Sequence, residues 1–281
     1  MIRQIRQIVQ GQNVIEGAGV HLHRVFGFTN PELFDPFLLL DDFRSPNRED
    51  FIKGFPWHPH RGIETITYVL QGDVEHGDSL GNKGIISSGE VQWMTAGSGI
   101  IHQEMPQGDE NGELQGFQLW ANLPAAHKMM PPRYRGITSS DIPLVQREDG
   151  TVIKIIAGEI DGVKGPAGDI IIDPEYLDCT VPPQTDFSYP TKKGYTVFMY
   201  CIGGEGSVHG TQVTDGKLVL FADGDEIALQ SGNVPFRFLL CSGNPIKEPI
   251  AWRGPIVMNT EIELELAFNE LENQTFIKHN G

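Results

Sequence analysis

No apolar stretch in this chain runs far before a glycine, proline or aspartate cuts it, and that punctuation decides the fold class. In the first half, apolar residues 63–70 stop at Gln71-Gly72-Asp73, residues 84–86 stop before Gly89, and residues 91–94 stop at the small-residue turn 96–99. In the second half, residues 152–157, 170–172, 195–202, 217–221, 226–229 and 236–240 read the same way. Short β-rich runs bounded by turn formers are antiparallel strands. The 33 Gly and 19 Pro behind the pattern are more than helix interiors tolerate, so an all-β protein is expected.

The 281 residues are enough for two β domains of ordinary size. Residues 131–150, PPRYRGITSSDIPLVQREDG, carry no apolar period and are rich in Pro, Gly and polar side chains. The boundary is placed there, giving domains 1–138 and 139–281. Near the end, Thr260 with Glu263 three positions on makes a capping box, and Leu264, Ala267, Phe268 and Leu271 then share one helical face. A short C-terminal helix is expected.

Composition excludes several functions. Lys and Arg total 21 against 37 Asp and Glu, a net charge of −16, so direct nucleic-acid binding is disfavoured. Residues 1–12 are interrupted by Arg3 and Arg6 where a signal peptide needs an apolar core, and no apolar run approaches the roughly 20 residues of a membrane span. The three cysteines, Cys179, Cys201 and Cys241, are too few and too scattered for a disulfide framework or a thiolate zinc site. Buried thiols in a cytoplasmic protein are the expectation. Neither a Gly-rich phosphate loop nor a nucleophile elbow occurs.

Histidine spacing carries the chemistry. Of nine histidines, His58 and His60 stand two apart in FPWHPHRGIET, and His102 and Glu104 stand two apart in TAGSGIIHQEMP. Residues two apart on a strand point to the same face, so each pair projects together. Two such strands meeting across a barrel would gather three imidazoles and a carboxylate. That donor set suits a first-row transition metal with a coordination position left open. A lone His-X-His is more often a solvated or hydrogen-bonded pair, and it is the second pair that argues for a metal. Glu64 shares the parity of His58 and His60 and is the alternative carboxylate. His21 and His23 also stand two apart but have no companion pair, which suits an exposed strand face. His76, His127, His209 and His279 stand alone and read as structural or solvated.

HPHRG and TAGSGIIHQEMP together resemble the pirin family of the cupin superfamily. So do DPFLLLDDF at 35–43, QWMTAG at 92–97, FQLWANLP at 117–124, PPRY at 131–134 and EPIAWRGPIVMNT at 248–260, in the same order. The resemblance implies two tandem cupin barrels, the first, residues 1–138, holding one Fe2+ on His58, His60, His102 and Glu104. It also favours Glu104 over Glu64. Residues 186–190 and 236–240 of the second barrel offer no His-X-His and no paired carboxylate, so that barrel is expected to hold no metal.

The same resemblance implies a quercetin 2,3-dioxygenase, which opens the central ring of a flavonol with O2 and releases carbon monoxide. Glu104 would then take the substrate's hydroxyl proton, and Phe55, Trp57, Trp93 and Met94 are candidate cavity walls. The alternative is a non-enzymatic, iron-dependent regulator acting through a protein partner.

Overall fold

A computed structural model describes residues 1–279. It consists of strands, short turns and one α-helix, Glu261–Glu272. The chain divides into two compact units. One contains residues 1–11 and 140–245, the other residues 12–139 and 246–279.

In the first of these units, a seven-stranded antiparallel sheet runs Ile5–Gln10, Lys217–Phe221, Thr196–Gly203, Phe236–Gly243, Glu175–Val181, Val152–Ala157, Leu144–Gln146. A four-stranded sheet, Asp186–Pro190, Glu226–Ser231, Glu205–Val208, Thr211–Thr214, closes over it. The period-two pattern explains the closure. Leu177, Cys179 and Val181 of one sheet and Phe187, Tyr189, Ile227 and Leu229 of the other share one buried apolar core. Cys179, Cys201 and Cys241 are free thiols buried in this unit, and burial pushes the pKa of each upward.

The second unit repeats the architecture. Its seven-stranded sheet runs Arg133–Ile137, Val91–Thr95, Ile63–Gln71, Gln115–Asn122, Phe37–Asp42, Val20–Phe26, Gln12–Glu16. Its four-stranded sheet runs Phe55–His60, Ile100–Pro106, Val74–Asp78, Lys83–Ile86. A hairpin, Ala251–Arg253 with Ile256–Met258, and the helix complete it. Thr260 caps the helix through the full capping box, and Leu264 and Ala267 pack with Ile256, Met258 and Phe276.

Each half is thus the expected β-barrel, and the expected helix lies where the capping box put it. The division differs from 1–138 and 139–281 at both ends of the chain. Residues 5–10 pair with Lys217–Phe221, and residues 246–279 return to the unit built from 12–139. Edge pairing over such sequence separations leaves no local signature. Residues 170–172 form a turn rather than a strand, and Arg133–Ile137 pairs with Val91–Thr95 inside what reads as a linker. No helix among the described residues is long and apolar enough to cross a membrane.

Candidate metal centre

The site lies on the four-stranded sheet of the second unit. Phe55–His60 is the edge strand there, which is why it can carry Pro56 and Pro59, whose missing N–H groups would break an interior ladder. His102 on the neighbouring strand pairs directly with His58, while Glu104 pairs with Phe55. Two residues of the edge strand, Pro56 and Trp57, thus stand opposite the single Gln103, a bulge between His102 and Glu104 that re-aims the edge strand at the site.

Three imidazoles converge. The ring nitrogens of His58, His60 and His102 include one from each that lie within 4.8 Å of one another. His58 Nε2 and His60 Nε2 are 3.1 Å apart. His58 Nδ1 lies 2.9 Å from the Pro56 carbonyl and His60 Nδ1 3.1 Å from the Pro255 carbonyl. A carbonyl only accepts, so each Nδ1 carries the proton and each Nε2 presents its lone pair to the shared point. Burial, reinforced by His58, holds His60 well below the usual imidazole pKa. His102 is held down in the same way by burial, then by His60 and His58. Both stay neutral, the form that binds a metal.

His102 gives the sharpest test of fit. It is 1% exposed, and neither of its ring nitrogens has a hydrogen-bond partner. A buried imidazole with two unsatisfied nitrogens costs free energy that a bound cation would recover. Nitrogen donors without a thiolate, one residue orphaned and two oriented by carbonyls, fit a first-row transition metal.

Glu104 is buried beside this cluster but outside it. Its Oε1 accepts a hydrogen bond from Thr67 Oγ1 at 2.7 Å and its Oε2 one from Gln118 Nε2 at 3.0 Å. Gln118 Oε1 in turn accepts from Trp120 Nε1 at 3.2 Å. Glu64 faces elsewhere. Arg61 and Gly62 separate its strand from that of His60, and parity within Ile63–Gln71 sets it on the face opposite Thr67, the residue that meets Glu104. There its Oε1 accepts from Thr95 Oγ1 at 2.6 Å and lies 3.8 Å from Arg133.

His58 and His60 open onto a cavity of about 410 Å³, within the roughly 300–1,000 Å³ of small-molecule sites. Phe28, Leu39, Phe55 and Trp120 form its apolar walls, and Gln118 and Pro255 add polar atoms. The Trp120 ring stands 5.0 Å from that of His60, edge to face. At the rim, Arg24 is clamped by Asp41 through Nε at 2.9 Å and a second nitrogen at 2.8 Å, and by Glu16 at 2.7 Å. Of the four candidate wall residues, Phe55 lines the cavity. Trp57 is half-exposed, while Trp93 and Met94 are buried and do not line it. Thr67, Pro255 and the pair Gln118 and Trp120 reach the site from three separate segments, Gln118 and Trp120 sharing the strand Gln115–Asn122, and sequence reasoning did not single them out. His21 is exposed beside Asp50 at 3.2 Å, in keeping with an outward strand face. His76 is buried, with its Nε2 2.8 Å from the Tyr134 hydroxyl. In the other unit, the counterpart strands give Phe187, Tyr189, Phe236 and Phe238 to the apolar core.

Two β-barrels, one carrying a three-histidine cluster that could hold a metal ion and two of whose imidazoles line an aromatic cavity, define a bicupin. The Pirin profile matches residues 19–121 and the Pirin C-terminal cupin domain profile residues 176–277. The chain belongs to the pirin family. It is 40% identical over 276 residues to the pirin-like protein of Caulobacter vibrioides, covering 98% of this chain and 99% of that one. It is 39% identical over 264 residues to Pirin-1 of Arabidopsis thaliana, covering 92% and 89%. Among solved structures, quercetin 2,3-dioxygenase from Acinetobacter baumannii superposes with a TM-score of 0.89 at 31% identity, covering 98% of this chain and 99% of that one.

Proposed function

We propose that the protein is an Fe2+-dependent dioxygenase that opens the central ring of a flavonol such as quercetin. Both atoms of O2 enter the product, and one ring carbon leaves as carbon monoxide. The observation that carries this reading is His102, a buried imidazole with two unpartnered nitrogens, beside two carbonyl-oriented imidazoles that line a cavity walled by aromatic side chains. The likeness to a quercetin 2,3-dioxygenase over nearly the full length supports the choice of reaction.

His58, His60 and His102 would hold the ion, with Glu104 as the fourth ligand. When bound, the ion supplies Lewis acidity toward the flavonol 3-hydroxyl and one-electron chemistry toward O2. The chain does the rest. Phe28, Phe55 and Trp120 bind the flat rings and exclude water. Glu104 accepts the 3-hydroxyl proton as general base. Thr67 and Gln118 steady its carboxylate through two donated hydrogen bonds, and Gln118, which also lines the cavity, couples that carboxylate to Trp120. Three buried free thiols suit the reducing cytoplasm as the place of action.

The test is to purify the protein under low oxygen, load it with Fe2+, measure iron per chain and follow quercetin absorbance and O2 uptake together. Near one iron with coupled loss of quercetin and O2 supports the reading. Iron without turnover moves the assignment to a metal-dependent regulator acting through a protein partner. No bound metal removes the site.

A further inference from the structure

The last residue of the metal-site strand, His60, meets the C-terminal segment 195 residues away, where Pro255 supplies its carbonyl. The contact continues along the backbone. Arg61 bridges to Ile256 in parallel, and Val257 N donates to Arg61 O at 3.1 Å.

The Arg61 side chain gathers three segments at once. It is 1% exposed, an unusual place for a guanidinium. Its Nε donates to Ser98 O at 2.7 Å, in the turn that opens the His102 strand. A terminal nitrogen donates to Phe276 O at 2.9 Å and lies 2.8 Å from Glu270 Oε2. The guanidinium also sits over the Phe276 ring, 4.2 Å from its centroid. Phe276 packs on that same turn, where a Cβ added at Gly99 would lie 2.9 Å from its ring. One planar, multi-donor cation thus joins the end of the His60 strand, the start of the His102 strand and the C-terminal segment.

We propose that Arg61 is a positioning residue through which the C-terminal segment, residues 252–276, sets the relative placement of His60 and His102 and so tunes metal affinity. The inference rests on the reading of the three histidines as metal ligands. Groups that orient metal-binding imidazoles typically change affinity about 10–100-fold when lost. Arg61 touches no substrate and does not ligate. Its influence runs through the Ser98 turn and the Pro255 carbonyl.

The experiment compares full-length wild type, Arg61→Met, Arg61→Lys and Glu270→Gln, each titrated with Co2+ as a spectroscopic probe. Affinity is read by chelator competition, ligand geometry by the visible cobalt bands, and folding by far-UV circular dichroism of the metal-free proteins. Wild type is expected to take one Co2+ per chain. Arg61→Met should bind about 10–100-fold more weakly with altered cobalt bands in a folded protein. Arg61→Lys, which keeps the charge but not the fork, should fall between. Glu270→Gln, which keeps the Arg61 side chain but weakens its ion pair along with the 2.8 Å pair from Glu270 Oε1 to Lys278, should show a smaller loss in the same direction and carries the test alone if Arg61→Met does not fold. Wild-type affinity and bands in the folded Arg61→Met and Glu270→Gln proteins would overturn the proposal. Failure of wild type to bind Co2+ would instead overturn the metal site itself, and the proposal with it.

Discussion

Replacing His102 with leucine should make the metal-free protein more stable, not less. A neutral imidazole has one donor and one acceptor nitrogen, and at His102 both are sealed from solvent and unpartnered. Each unsatisfied buried polar group costs about 1–3 kcal/mol. Leucine fills a similar volume without either group, and a volume-conserving swap costs up to about 1.5 kcal/mol in packing. The net gain is about 0.5–6 kcal/mol, which urea or thermal unfolding in chelator reads directly, each 1 kcal/mol being roughly 2–4 °C for a unit of this size. With saturating metal the order reverses. Wild type gains about 4 kcal/mol when free metal is near 1,000 times Kd, while His102→Leu gains little. A metal-free His102→Leu protein less stable than wild type would show that the nitrogens are satisfied without a metal, and would refute the reasoning. Stoichiometric metal uptake by that variant would do the same to the ligand assignment.

Acid should weaken the fold through the same residues. His60 and His102 stay neutral when folded, whereas in the unfolded chain each takes a proton near pH 6.5. The unfolded state therefore binds more protons, and stability falls as pH drops below 6.5 by about 1.4 kcal/mol per unit per histidine. Unfolding free energies from urea titrations of wild type and His102→Leu should diverge as pH falls from 7, their slopes against pH differing by close to one proton as pH nears 5. Glu104→Gln should keep metal more weakly and lower kcat by about 10²–10⁴ with a smaller change in KM, measured by quercetin turnover. Undiminished turnover would move the general base away from Glu104, and not to Glu64, which faces the other side of its sheet. Gly62→Ala should cost about 3 kcal/mol or more in thermal unfolding. Gly62 has φ +79°, and an added Cβ would stand 1.9 Å from Val257 O.

Much of the fold was legible because it is local. Turn residues cut the strands, alternation chose their inner faces, and the Thr260–Glu263 box set the helix start. Residues 170–172 misled because three apolar residues beside glycine and aspartate read as a strand, yet they join no strand ladder and turn instead, with Ile172 O accepting from Asn244 N at 2.9 Å. The candidate ligands His58 and His60 were legible for the same reason as the strands, since spacing of two needs only one extended segment. The Glu64 alternative failed because parity holds only within one unbroken strand, and the chain turns at Arg61 and Gly62.

By itself, then, the sequence determined the β class, the two-barrel plan, the helix cap and the histidine pairs, all consequences of neighbours within a few residues. Only the tertiary structure decided the rest. It decided that residues 1–11 and 246–279 join the unit built mainly by the other half, that a bulge sets His102 against His58 and Glu104 against Phe55, and that Thr67 and Gln118 hold Glu104. It also brought Pro255 and Arg61 into one contact around His60. Those arrangements depend on pairing between residues far apart in the chain, where side-chain chemistry leaves no periodic trace until the backbone has closed.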